Sequence, residues 1–247
     1  WFPGDVTIDI LNCYLLDLNQ DITIAYNGSV PNPEDVEIPL SSGWNWISYI
    51  PTSSYNINDA FVNIDLEEGD FIKGQTLAST YYSSYGWYPG EVNLEPTTGY
   101  LIKTNSEHTL IYPDIQPEGN NQLIINTNPI PFKEYKKFEN NSFVTVELKM
   151  DHLTVGKKDR VSIYKDKELR GVAYGKLCPI NDKILFNLMI YSNKETEQDL
   201  TFVYYNDKTG NEYYIKETIN FEKDDIRGNV YSPFTLTDMN MPYKYEL

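Results

Sequence analysis

Only two cysteines, Cys13 and Cys178, and two histidines, His108 and His152, occur in 247 residues. That scarcity excludes a disulfide framework for a chain of this size, and a four-thiolate zinc centre with it. The two thiols lie far apart in sequence; pairing stays open, but two separate buried thiols is the simpler reading. Basic residues are also few, 20 Lys and Arg against 36 Asp and Glu, for a net charge of −16. Scattered lysines in such a field cannot neutralise a phosphate backbone or anionic lipid, which argues against nucleic acid as a partner. No run of about 18 apolar residues is present, so no segment reads as a membrane span. Gly-x-Ser-x-Gly, a phosphate-binding glycine loop and H-E-x-x-H are all missing, and two isolated histidines support no enzyme mechanism. The chain opens at Trp1 without a signal peptide, as expected of a mature or excised fragment.

What the chain has in quantity is aromatic residues: 21 Tyr, 10 Phe and 4 Trp. Such side chains suit a pleated, half-buried surface. Alternation of apolar and polar residues predicts strands at 7–11, 22–26, 143–148, 160–164, 184–190, 200–205 and 213–219. Turn signals separate them at Asn27-Gly28, Asn181-Asp182, Asp207 to Asn211 and Arg227 to Asn229. Thr209-Gly210 between two tyrosine-rich strands predicts a hairpin, because glycine supplies the positive φ such loops need. One helix is predicted over Asn56–Ile64, with a polar cap and with Ile57, Phe61 and Ile64 on one face. At about two turns it needs packing against a sheet to persist. The fold class is therefore all-β with one short helix, in two β-domains.

Pro113 to Pro131 holds four prolines, a Gly119-Asn120-Asn121 cluster and one apolar run, Leu123-Ile124-Ile125. It predicts a junction, giving domains at 1–115 and 131–247 with a linker at 116–130. The first forty residues are expected to include the tail of a preceding repeat, in a slice of a longer array.

Three tryptophans fall in one block. Gly43-Trp44-Asn45-Trp46-Ile47-Ser48-Tyr49 is followed by the Ile57–Phe61 segment, Gly69-Asp70-Phe71-Ile72-Lys73-Gly74-Gln75-Thr76, Tyr85-Gly86-Trp87, and Leu94 to Lys103. This succession resembles a β-rich repeat module of large secreted surface proteins of Bacteroidetes-type bacteria, with related copies in some large DNA viruses. The module's pattern runs G-W-N-W-I-[GS]-Y, I-x-x-A-L, G-D-x-I-K-[SG]-Q-T, G-[YW]-x-G and L-x-P-G-x-G-Y-x-[IL]-K. The match spans Pro39 to Pro113, about a third of the chain, and rests on several spaced motifs. Thr97 stands where the pattern has its first glycine after proline, a local turn adjustment.

The second half, from about Phe138 to Leu236, is similar to a β-sandwich module that often follows the first. It carries Glu168-Leu169-Arg170-Gly171-Val172-Ala173, then Phe186 to Asn193, Leu200 to Asn206 and Phe221 to Gly228. Leu169 replaces a cysteine of many relatives, so no disulfide carries over. The resemblance implies an Ig-like or jelly-roll-type sandwich, display outside the cell or on a virion surface, and a non-catalytic role. It implies no defined ligand.

Candidate chemistry is sparse. Tyr81, Tyr82, Tyr85, Trp87 and Tyr88 together suit a platform for sugar rings, or alternatively core packing. Trp44 and Trp46, two apart on a strand, share one face and are expected in the core. Trp87 and Tyr88, beside Gly86 and Pro89-Gly90, are expected in a loop, the favoured place for a ligand face. Ligand-binding candidates are thus Tyr82, Tyr85, Trp87 and Tyr88, with Arg170 open to a partner contact or to fixing its hairpin. Asp65-Glu67-Glu68-Asp70 and Glu222-Asp224-Asp225 have the hard oxygens calcium needs, without a calcium-loop pattern; solvated loop charge is the other reading. No cofactor is expected. Asn27-Gly28-Ser29 and Asn140-Asn141-Ser142 fit the glycosylation pattern. The expected partner is a glycan or a protein on another surface, with a homo-oligomer or an array of neighbouring modules open through exposed edge strands. The expected function is adhesion, recognition or virion-surface structure; the alternatives are a carbohydrate-binding module of a secreted hydrolase and, third, a glycosidase using paired carboxylates.

Overall fold

The computed structural model describes residues 9–14, 20, 23, 28–115, 134–150 and 153–237. The protein is mainly β, and the chain divides into two compact units, Trp1–Asn126 and Thr127–Leu247. Among the described residues no helix is long and apolar enough to cross a membrane. Apart from Thr23, the strand expected at 22–26 lies outside the described residues, as do the Leu123–Ile125 run, the whole 116–130 linker, Asn27 and His152. Of the strand expected at 7–11, Ile10 and Leu11 form a turn instead.

The first unit runs β1 (Ile38–Leu40), β2 (Gly43–Ser48), β3 (Tyr55–Asn56), α1 (Ile57–Ala60), β4 (Phe71–Lys73), β5 (Ala78–Tyr82), β6 (Gly86–Tyr88), β7 (Asn93–Leu94), β8 (Gly99–Thr104) and β9 (His108–Leu110). Five strands form an antiparallel sheet in the order β2-β8-β4-β5-β6, while β1 pairs with β9 and β3 with β7. The period-2 alternation sends Ile47, Tyr100, Ile102, Ile72 and Trp87 from one face of the sheet into a core shared with Ile57, Phe61 and Tyr112. The helix is shorter than the spacing of Ile57, Phe61 and Ile64 predicts. Asn56 caps it as expected, its side chain accepting from Asn58 N, but the chain leaves helical geometry at Phe61 and continues as a turn. One turn suffices to bury Ile57, Ala60 and Phe61, and an isolated helix this short has no stability of its own to extend it.

The acidic loop before β4 is built around Asp70, which is fully buried. Its Oδ2 accepts from Glu67 N at 2.8 Å and its Oδ1 from Asn105 N at 2.9 Å, tying this loop to the β8–β9 turn. A carboxylate with two backbone N–H donors is compensated for its desolvation.

The second unit comprises β10 (Asn140–Leu148), β11 (Arg160–Lys165), β12 (Glu168–Tyr174), β13 (Lys176–Leu177), β14 (Ile184–Ser192), β15 (Thr196–Asn206), β16 (Asn211–Glu222), β17 (Ile226–Arg227) and β18 (Phe234–Leu236). One sheet has the order β13-β14-β10-β17, with β18 also on β10; the other is β12-β11-β15-β16. Both send apolar residues into one core, Val144, Val146, Phe186 and Leu188 from the first meeting Val161, Ile163, Phe202 and Ile215 from the second. This is a β-sandwich. β17 and β18 run parallel to β10, an exception to the antiparallel pairing elsewhere. The hairpin at Thr209-Gly210 forms as predicted, with Gly210 at φ 70° and Thr209 N donating to Asn206 Oδ1 at 3.0 Å. At Gly171 the edge strand β12 passes so close to β14 that an added Cβ would lie 2.2 Å from the Met189 carbonyl oxygen. Only glycine admits that approach.

A candidate recognition surface on the first sheet

β2 is an edge strand, and its alternation places Asn45 and Ile47 on the core side and Trp44 and Trp46 on the other. The expectation that both tryptophans are core is therefore corrected. Trp46 is 49% exposed and Trp44 is partly buried, while Ile47 and Tyr49 take the interior places. The physical reason is parity: one face of a strand must turn inward, and in this segment the apolar pair Ile47 and Tyr49 serves the core as well as the tryptophans would.

The register defines the neighbourhood of the two tryptophans, where Lys103 is exposed but Phe71 and Lys73 of β4 are buried. Trp44 lies opposite Lys103 and Trp46 opposite Leu101 on β8; beyond them Phe71 and Lys73 of β4 continue the row. Phe71 meets the Trp44 ring edge-on at a centroid distance of 6.1 Å. The ammonium of Lys73 lies 5.6 Å and that of Lys103 5.9 Å from the Trp44 centroid, both within cation–π range. Trp44 is held on three sides, whereas Trp46 leaves about half its surface to solvent. Beside them opens a cleft of about 330 Å³, lined by Leu11, Asn12, Ile38, Pro39 and Asn45 together with the two tryptophans. Asn45 fixes the rim: its amide donates to Ser41 O at 2.8 Å and Gly43 O at 3.0 Å and accepts from Ser41 N at 2.9 Å.

The residues expected to bind in the Tyr85–Tyr88 segment are placed differently. Trp87, Tyr88 and Tyr82 are all buried, Trp87 to 1% exposure. Gly86–Tyr88 form strand β6 rather than an open loop, with Tyr85 in the turn before it, and Trp87 packs against Phe61 at 5.6 Å and Tyr81 at 5.7 Å. A buried ring presents no face to a sugar, which corrects the expected ligand face at Trp87, Tyr88 and Tyr82. Tyr85 alone of this set is exposed, beside Tyr88 at 6.5 Å.

Arg170 is likewise interior. Its Nη1 donates to Glu197 Oε2 at 2.9 Å and to Tyr191 O at 3.0 Å, Nη2 reaches Glu197 Oε1 at 3.3 Å, and the guanidinium lies 5.0 Å from the Phe138 centroid. Ser192 Oγ donates to the same Glu197 oxygen at 2.7 Å. Burial alone would raise the Glu197 carboxyl, but the Ser192 hydroxyl, Arg170 and Lys194 outweigh it and hold the group below its ordinary value. Of the two readings of Arg170, the one that fixes its hairpin matches this geometry.

Several other buried polar groups are also committed to structure. Asp159 accepts from Gly156 N at 2.7 Å, Tyr204 Oη at 2.6 Å and Asp207 N at 2.9 Å. Burial raises the phenols of Tyr49, Tyr100 and Tyr112, keeping them protonated as donors or packed acceptors rather than bases. Cys13 and Cys178 are both free thiols, Cys178 buried and Cys13 partly so, with burial raising the Cys13 thiol. In the acidic loop, Glu68 Oε2 accepts from Ser83 N at 2.7 Å and Glu67 from the Ser106 hydroxyl, so its carboxylates face local donors rather than one another. Among the described residues no group of three or more His, Cys, Asp or Glu side chains is arranged to hold a metal ion. Asn140 of the glycosylation pattern lies in β10, its amide donating to Lys194 O at 3.4 Å.

No family model, curated protein or solved structure matches the chain.

Proposed function

We propose that the chain is a non-catalytic recognition protein, displayed on a cell or virion surface, that engages its partner through the Trp44–Trp46 face. The observation that carries this reading is Trp46, a large aromatic ring left half in solvent at the lip of a cleft while its neighbour Trp44 is braced by Phe71 and two lysines. An exposed indole held on a rigid strand offers a large apolar contact at little entropic cost, the property that makes tryptophan an anchor in binding surfaces. The buried acids support a non-catalytic role, because Asp70, Asp159 and Glu197 are each occupied by structural donors. The resemblance to tandem secreted modules supports surface display. A carbohydrate-binding module attached to a hydrolase is the second reading, favoured by the same indole, since flat aromatic faces stack on sugar rings.

A glycan array probed with the wild-type chain and with Trp46→Ala tests the proposal. Binding to one or more glycans that disappears in Trp46→Ala, with the circular dichroism spectrum unchanged, is the expected result. Binding that survives the substitution moves the recognition surface elsewhere and overturns this reading.

A further inference from the structure

We infer that the Trp46 face takes an acidic pyranose, a uronic-acid residue of a polysaccharide, with its ring on Trp46 and its carboxylate paired to Lys103. The inference rests on the recognition surface proposed above and adds the chemistry of its ligand. Three observations lead to it. First, the free stacking surface belongs to Trp46, because the Trp44 ring is already flanked by Lys73, Lys103 and Phe71. Second, Lys103 is exposed and sits diagonally across from Trp46 on the same face. Diagonal neighbours on adjacent strands are about 7–8 Å apart, within reach of a long side chain and about the span from a ring stacked on one to a carboxylate held by the other. Third, the charge at the exposed Lys103 is of the right sign. The register puts Ser48, Leu101, Phe71 and Lys73 on this face, none of them acidic, in a chain whose net charge is −16. A local cationic spot on an acidic protein selects an anionic ligand at that spot and repels it elsewhere.

A peptide is a poorer fit than a sugar. Peptide capture at a sheet edge works by adding a strand to unpaired backbone groups. At the start of β2 the Asn45 amide already takes Gly43 O and Ser41 O, closing that part of the edge. What remains open is a side-chain surface, an indole plane with one ammonium beside it. One ammonium matches the single carboxylate that each uronic-acid residue carries.

Calorimetric titration with a short oligogalacturonate, with the same oligomer after reduction of its carboxyls to alcohols, and with polyglutamate separates the alternatives. The wild type is expected to bind oligogalacturonate at least tenfold more tightly than the reduced oligomer, with affinity falling as salt rises. Lys103→Gln is expected to remove that preference and flatten the salt dependence, and Trp46→Ala to weaken both sugars; Trp46→Phe, a gentler change, gives partial loss should Trp46→Ala fold poorly. Equal affinity for the two sugars, indifferent to Lys103→Gln but lost in Trp46→Ala, overturns the acidic ligand and leaves the recognition surface standing. Polyglutamate binding without either sugar overturns the glycan class. Silence toward all three, together with a glycan array that ignores Trp46→Ala, overturns both.

Discussion

Replacing Glu197 by Gln in the sandwich tests whether Arg170 is a structural residue. The pair is nearly dry: side-chain exposure is 9% for Arg170 and 6% for Glu197, with two nitrogen–oxygen contacts at 2.9 and 3.3 Å. Breaking a buried pair by removing one partner costs about 3–5 kcal/mol, because the other charge is stranded. Here the lower end, about 3 kcal/mol, is expected. The Gln carbonyl still accepts one guanidinium bond, and Glu168 Oε2 lies 3.1 Å from Arg170 Nε at the exposed rim. The loss should depend on pH in a fixed direction. Glu197 has a folded pKa below its unfolded value of about 4.3, so its stabilisation is complete above that pH and is lost as pH falls through the lowered folded pKa. Glu197→Gln should therefore differ from the wild type most at neutral pH and converge with it in acid. All four tryptophans precede Asn126, so indole fluorescence reports only the first unit. Hydrogen exchange of amides in β14 and β15 during urea titration is the appropriate readout. A loss under about 1 kcal/mol at neutral pH, within the range of exposed pairs, would mean that the pair is not desolvated and would make Arg170 a candidate partner contact again.

Two further substitutions probe the interior. Trp87→Ala should cost about 3–5 kcal/mol through the cavity it leaves against Phe61 and Tyr81, measured by urea unfolding followed by far-ultraviolet circular dichroism. Trp46→Ala in the same assay should stay within about 0.5 kcal/mol, as surface changes do; equal losses for the two would contradict the placement. Gly171→Ala should destabilise the sandwich by about 1–3 kcal/mol or more, since the new methyl meets the Met189 backbone rather than a side chain that can turn away. A neutral result in thermal unfolding would mean that β12 and β14 separate more readily than the geometry allows.

Much of the sandwich was legible in the sequence because five of its longer strands carry a period-2 signal. Phe143–Leu148, Arg160–Tyr164, Ile184–Ile190, Leu200–Tyr205 and Tyr213–Ile219 all lie inside observed strands, and Gly210 makes the expected turn. The short strands of the first unit gave less: β4 and β6 have three residues each, too few for alternation to fix an inward face. That ambiguity governed the candidate site. Alternation correctly puts Trp44 and Trp46 on one face, but it cannot say which face is core when both carry apolar residues. Deciding by aromatic bulk put the tryptophans inside and left Trp87 for the loop, where the fold does the reverse. Proximity to glycine and Pro89 misled at Trp87, because those residues punctuate a tight strand connection rather than an exposed loop. Arg170 was ambiguous for a different reason: its partner Glu197 lies 27 residues away, on another strand, and no local pattern announces it.

The exposed indole is Trp46 and the core indole is Trp87, a placement on which the recognition surface depends. Acrylamide quenching of two single-tryptophan variants tests it, one retaining Trp46 and one retaining Trp87, with phenylalanine at the other three tryptophan positions. Readily quenched, red-shifted emission from the Trp46 variant and protected, blue-shifted emission from the Trp87 variant are predicted. The opposite ranking would put Trp87 in solvent and Trp46 in the core, and would move the recognition surface to the Tyr85–Tyr88 segment.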